Sequence, residues 1–208
     1  MTGYAQQERR LLADLFDQVG PQAPTLCDGW QTADLAAHLV VREHRPDAAA
    51  GMVIRGLASY SERVQHSVRD NPDWPALVNK IRTGPPLLMR ALDEAINTAE
   101  YFVHHEDVRR AKPGFTVRAL EPGLQKALWT RLSSPFGRLL ARRSPVGISL
   151  EAAGFGTRNL KKGSDHVTIS GSPAELTLFV FGRRDVARVE LDGDEMAVAR
   201  LRRAHLGL

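Results

Sequence analysis

The chain has 208 residues, 43% of them hydrophobic and 25% charged, which is ordinary for a globular protein. It is long enough for one large domain or two small ones, each burying its own core. Twenty-eight basic residues against 24 acidic leave a formal charge of +4. The two signs are interleaved along the chain, so it lacks the concentrated basic stripe that nucleic-acid binding needs.

Cys27 is the single cysteine, which excludes an intramolecular disulfide. The first ten residues, Met1 to Arg10, lack the basic-then-apolar profile of a signal peptide. No apolar run approaches the roughly 18 residues of a membrane span. The expectation is a cytoplasmic protein without membrane or nucleic-acid partners.

The first half reads helical. From Tyr4 to Val19, residues Leu11, Leu12, Leu15, Phe16 and Val19 recur at three- and four-residue steps, and Gly20-Pro21 stops the helix. A turn-rich connector comes next, Pro24-Thr25-Leu26-Cys27-Asp28-Gly29-Trp30. Thr32 is placed to cap a helix carrying Leu35, His38, Leu39 and Arg42, which ends near Pro46. Residues 48 to 70 form a weaker helical region interrupted by Gly51 and Gly56. After the breaker Asn71-Pro72-Asp73-Trp74-Pro75, a helix runs to about Arg82 and stops before Gly84-Pro85-Pro86. The last segment of this half, Leu88 to Arg110, places Leu92, Ile96, Ala99 and Val103 on one side. Helices joined by short breakers imply a bundle with antiparallel neighbours.

After Lys112-Pro113-Gly114 the texture changes. Pro122 suits the first turn of a helix reaching about Leu132, and Pro135 interrupts the chain just beyond it. Val146 to Glu151 and His166 to Ser170 alternate with period two, as half-buried strands do. Gly171-Ser172-Pro173 leads into a helix through Leu176 and Phe179. Ala187 to Leu191 reads as a third strand, turned by Asp192-Gly193-Asp194 before a helix from Glu195 to His205. The division is therefore a helical domain over residues 1–112 and a small α+β domain over 113–208.

Glu100 and His104 lie four positions apart, which puts both side chains on one helix face. A carboxylate and an imidazole so placed can share a divalent ion, given a third ligand from elsewhere. His38, interrupting the apolar run Leu35 to Val41, is the best third ligand. Three protein ligands would leave a position open for water or substrate, as in catalytic zinc sites, although the donors also suit other divalent metals. The bland alternative is a surface Glu–His pair and a buried, hydrogen-bonded histidine. Glu62 and His66 share the spacing but fall opposite their helix's apolar side, whereas Glu100 and His104 flank theirs.

Asp107, three after His104, and Asp34, four before His38, can each reach their histidine as the carboxylate that takes its other ring N–H. Arg42, one turn after His38, can offer positive charge to an anionic substrate. His105 points about 100° away from His104 and is expected at the surface or behind the ligands. His44 leaves the His38 face, and Cys27 reads as a packed small hydrophobe.

Leu26-Cys27-Asp28-Gly29-Trp30 followed by Thr32 to Leu39 resembles the N-terminal signature of the mycothiol-dependent maleylpyruvate isomerase family of actinobacterial type. Asn97 through Asp107 resembles its Glu-x-x-x-His element. The resemblance covers residues 4 to 111 and implies a DinB-like four-helix bundle that holds zinc on His38, Glu100 and His104. It also implies a small C-terminal domain of sterol-carrier type, with the weaker likeness in Glu175 to Arg183 and Val189 to Leu201. The implied chemistry is a zinc-dependent thiol transferase or isomerase, with mycothiol as co-substrate and an electrophile as its partner. A metal-binding module without catalysis, serving as a small-molecule binder or sensor, is the alternative, since fold does not fix function.

Overall fold

The computed structural model describes residues 3–49, 55–70, 73–86 and 90–207. Its contacts separate into two compact units, residues 1–117 and 118–208. Among the described residues the chain is rich in helix, with one small mixed sheet confined to the second unit.

In the first unit the long helices are α1 (Tyr4–Val19), α2 (Thr32–His44), α4 (Ala58–Arg69), α5 (Trp74–Thr83) and α6 (Arg90–Arg109). A one-turn helix α3 (Pro46–Ala49) and a 3-10 turn (Arg55–Leu57) stand between α2 and α4. The α1 stripe is buried at Leu12 and Phe16, and α1 packs along α6 and α5. Helix α2 packs on α4 and α5. Leu12, Phe16, Leu35, Leu39, Leu77, Ile81 and Tyr101 form one apolar core between these helices.

Several details differ from the pattern expected of the sequence. Thr32 is the first residue of α2 rather than its cap; Gln31 takes that place, and its N–H donates to Asp34 at 3.0 Å. The Thr32 hydroxyl donates instead to the carbonyl of Gly20, tying the start of α2 to the end of α1. On α6, Ala99 and Val103 are buried but Ile96 is 40% exposed. Position 96 looks away because 97 faces the neighbouring helices with a polar side chain. Gly51 and Leu88, read as parts of helical segments, lie outside the described residues, as does the side chain of Leu92.

The second unit contains α7 (Pro122–Ser133), α8 (Pro135–Ala141), β1 (Gly147–Ala152), β2 (Gly156–Lys161), β3 (His166–Ser170), α9 (Pro173–Val180), β4 (Glu190–Gly193) and α10 (Glu195–Arg203). The sheet order is β2-β1-β3-β4, with β1 and β3 parallel and both outer pairs antiparallel. Ile148 and Leu150 of β1 and Val167 and Ile169 of β3 are fully buried on one face. Every residue of α9 is buried.

Strand β2 escapes the sequence pattern because it is an edge: only Leu160 is buried, so no alternation marks it. Strand β4 lies further along than Ala187 to Leu191, and the residues read as a turn, Asp192 and Gly193, pair with Thr168 and Val167. Gly193 is required there by close approach, since a Cβ would fall 2.7 Å from the carbonyl oxygen of His166.

Three helices of the first unit are tied together by buried charge. Arg9 of α1, with a side chain 0% exposed, donates to Glu43 of α2 at 2.6 Å and to Asp93 of α6 at 2.7 Å. Its guanidinium also lies 4.3 Å from the centre of the Tyr101 ring. Asn97 closes the set, donating to Glu43 at 3.1 Å and to Asp93 at 2.7 Å. Removing the cation would leave two carboxylates buried without compensation. Arg9→Met is therefore expected to cost about 3–5 kcal/mol, read from urea unfolding followed by tryptophan fluorescence. A loss below about 1 kcal/mol would mean that the carboxylates find water or another cation.

Candidate metal centre

Asp93, Asn97, Glu100, His104 and Asp107 succeed one another along α6 in steps of four, three, four and three. That spacing aligns them as one polar seam on the helix. Facing the seam, α2 presents His38, Arg42 and Glu43. Asn97 accepts a close hydrogen bond from Arg42, whose other terminal nitrogen lies 3.7 Å from Glu100. The charges of the seam thus run from the buried Arg9 cluster directly into the site.

His104 is 7% exposed and held at both ring nitrogens. Its Nδ1 lies 2.9 Å from Oδ2 of the fully buried Asp107, and its Nε2 lies 3.5 Å from Oε2 of Glu100. The His38 ring stands edge-on to it, with centroids 5.6 Å apart and planes at 70°. Trp30 also packs on His38, with centroids 5.2 Å apart, and Gln65 of α4 hydrogen-bonds it.

The protonation states are set by these neighbours. Burial, reinforced by the nearby His104, pushes His38 down to about 3, so it is neutral and can donate a lone pair. Burial alone would raise Glu100, but the bond from His104 and the charge of Arg42 outweigh it and bring its pKa to about 2. For His104, burial opposes the charge, while Asp107, Cys27 and Glu100 overcome it and hold the pKa well above the usual histidine value.

The expected ligands His38, Glu100 and His104 are therefore neighbours, drawn from α2 and α6. The outer partners differ in part from expectation. Asp107 meets His104 as its spacing implied. Asp34 does not serve His38: its oxygens receive Gln31 N–H at 3.0 Å and Arg69 at 3.2 Å, and Gln65 is the polar partner of that histidine. Arg42 is half-buried and engaged by Asn97 and Glu100. His105 is not at the surface: it is 5% exposed, with Nδ1 at 3.1 Å from the buried Glu8 of α1. Glu62 and His66 are both exposed, as their position opposite the apolar side implied.

Two contributions escape the sequence reading. Asp93 and Asn97 continue the spacing of Glu100 and His104 backwards, a signal present in the sequence as a four-three repeat of polar residues. Cys27 is not simply packed apolar: its thiol donates to Oδ2 of Asp107 at 3.3 Å, and no local spacing connects residues 80 positions apart.

Cys27, His104 and Asp107 offer ligand atoms all within 4.8 Å of one another, the tight potential metal group among the described residues, and His38 and Glu100 stand outside it. Two sides of His104 thus compete. On the Nδ1 side, Asp107 Oδ2 already accepts from both His104 and Cys27, and the carboxylate is fully buried. On the Nε2 side stands the Glu100 carboxylate, the His38 ring lies 5.6 Å from that of His104, and the side chains of Glu100 and Arg42 are 15% and 20% exposed. Two imidazoles and a carboxylate fit zinc or a related divalent ion, with access for a further ligand.

No family model matches the sequence, and no curated protein matches it. The fold does have solved counterparts, and they define its class. A crystal structure of the mycothiol-dependent maleylpyruvate isomerase superposes with a TM-score of 0.58 at 14% identity, covering 93% of this chain and 97% of that one. A histidine-to-alanine mutant of that isomerase gives a TM-score of 0.56 at the same identity and coverage. At such identity the likeness is one of fold. It supports the structural relationship implied by Leu26 to Leu39 and Asn97 to Asp107, not membership by sequence.

A divalent ion held by His38, Glu100 and His104 would have to displace a proton from His104, whose pKa is raised, and none from the lowered His38 or Glu100. Above the ordinary histidine pKa and below the raised pKa of His104, metal uptake should release about one proton, and affinity should rise with pH through that window. Calorimetric zinc titration at pH 7 in buffers of differing ionisation enthalpy measures the number. Release of none, with affinity flat across that window, would contradict coordination by a His104 of raised pKa.

Proposed function

We propose that this chain binds a divalent metal, zinc foremost, and uses it to activate a thiol such as mycothiol for transfer or isomerisation. His38, Glu100 and His104 hold the ion, and Asp107 orients His104. The observation that carries the reading is His104 itself, with Nδ1 committed to Asp107 and Nε2 at 3.5 Å from Glu100, while the His38 ring stands edge-on 5.6 Å away. A DinB-like helical bundle followed by a small α+β domain is the matching architecture, and the likeness to the isomerase structures supports it.

The chemistry that the ion would supply when bound is a lowered thiol pKa, since the thiolate is the nucleophile. The remaining work falls to the chain. Asp107 keeps the proton on Nδ1 and thereby leaves the Nε2 lone pair for coordination. Burial keeps His38 free of a competing proton. Arg42, steadied by Asn97 beside Glu100, offers positive charge to an anionic group on the electrophile.

Protein loaded with zinc and dialysed should retain one equivalent per chain. His38→Ala or Glu100→Gln should lower zinc affinity by at least about 100-fold, as loss of one of three ligands implies. With zinc bound, the protein should consume mycothiol in the presence of an electrophile, and His38→Ala should abolish this while leaving the fold intact. Unchanged zinc retention in both variants would sink the ligand assignment. Tight zinc without turnover across a broad electrophile panel would leave a binder, not an enzyme.

A further inference from the structure

The loop between α1 and α2 is more tightly built than a connector requires. Pro24 and Gln31 pair across its ends in an antiparallel bridge, and Thr32 N–H donates to the carbonyl of Ala23 at 2.9 Å. Inside it, Trp30 N–H returns to the carbonyl of Cys27 at 2.9 Å, a turn that needs the left-handed φ of +73° at Gly29. Thr25 locks the same turn from its side chain, accepting from Cys27 N–H at 3.2 Å and donating to the carbonyl of Trp30 at 2.8 Å.

Two side chains leave this turn toward the two histidines. The Trp30 ring packs on His38 at 5.2 Å. The Cys27 thiol donates to Asp107 Oδ2 at 3.3 Å, the same oxygen that lies 2.9 Å from His104 Nδ1. The loop backbone is pinned at the same residue, because Leu26 N–H donates to the carbonyl of Asp107 at 3.0 Å. One short turn therefore reaches both imidazoles.

We propose that the Pro24–Gln31 loop is a positioning clamp for both metal-binding histidines, with Trp30 fixing the His38 ring and Cys27 acting on His104 both directly and through Asp107. The proposal rests on the metal reading above. Cys27 is a positioning residue here, not a ligand or a nucleophile. A carboxylate that accepts a second hydrogen bond is held in one orientation, and it fixes the imidazole that donates to it in turn. Thr25 belongs to the clamp by holding the turn that aims both side chains.

Serine keeps a donor at position 27 but cannot replace a thiolate ligand, whereas alanine keeps neither. Zinc affinity measured by chelator competition should fall about tenfold in Cys27→Ala and in Trp30→Ala, in the range seen for outer partners of metal ligands. Cys27→Ser should stay within about threefold of the wild type. Thermal unfolding of the metal-free proteins separates this from a general loss of stability. Wild-type affinity in Cys27→Ala, whatever its unfolding temperature, would overturn the clamp and leave the three-ligand reading standing. An equal loss in Cys27→Ser and Cys27→Ala would make the sulfur itself a ligand and overturn the proposal. Failure of the wild type to bind zinc would remove the metal reading and the clamp together.

Discussion

The site depends on how Asn97 and Arg9 fix α2 against α6. Besides the apolar core they share at Leu35, Leu39 and Tyr101, the two helices meet through long polar side chains. Arg9 neutralises Glu43 and Asp93, and Asn97 takes a bond from Arg42 while giving one to each carboxylate. Burying so much charge contributes little net stability, but it permits only one alignment, because a shift of either helix would strand a carboxylate without its cation. In that alignment His38 comes opposite Glu100 and His104. The register of the helices and the geometry of the site are set by the same interactions.

The polar seam changes in character along α6. At Asp93 and Asn97 it is balanced by Arg9, which serves structure. At Glu100 it meets Arg42, with side chains 15% and 20% exposed. At His104 and Asp107 a fully buried carboxylate holds the imidazole. A neutral His38 beside a raised His104 places two differently tuned imidazoles in one small volume. Perturbed ionisation of this kind clusters at functional sites, and structural ion-pair networks produce it too.

Much of the first unit was legible because amphipathic period and breakers coincide: the Leu12 and Phe16 stripe, Gly20-Pro21, and Asp73 before Trp74 each mark an element where the structure has one. The Glu100–His104 pair was legible for the same reason, since helical spacing alone makes them neighbours. What resisted was set by tertiary contact. Asp34 has the spacing to reach His38, but capping Gln31 and pairing with Arg69 claim it. His105 looked peripheral by rotation about α6, yet α1 lies on that side and brings Glu8 to it. Cys27 gained its polar partner from the far end of the unit. In the second unit, β2 carries no buried alternation and β4 hides behind a glycine that mimics a turn.

In the proposed function the ion binds to His104 Nε2 with His38 and Glu100, and not on the Nδ1 side with Cys27 and Asp107. X-ray absorption at the zinc edge of the metal-loaded protein separates the two directly. Binding on the Nε2 side predicts nitrogen and oxygen neighbours only, at about 2.0–2.2 Å, with outer-shell scattering from two imidazoles. A sulfur neighbour at about 2.3 Å with a single imidazole would contradict it.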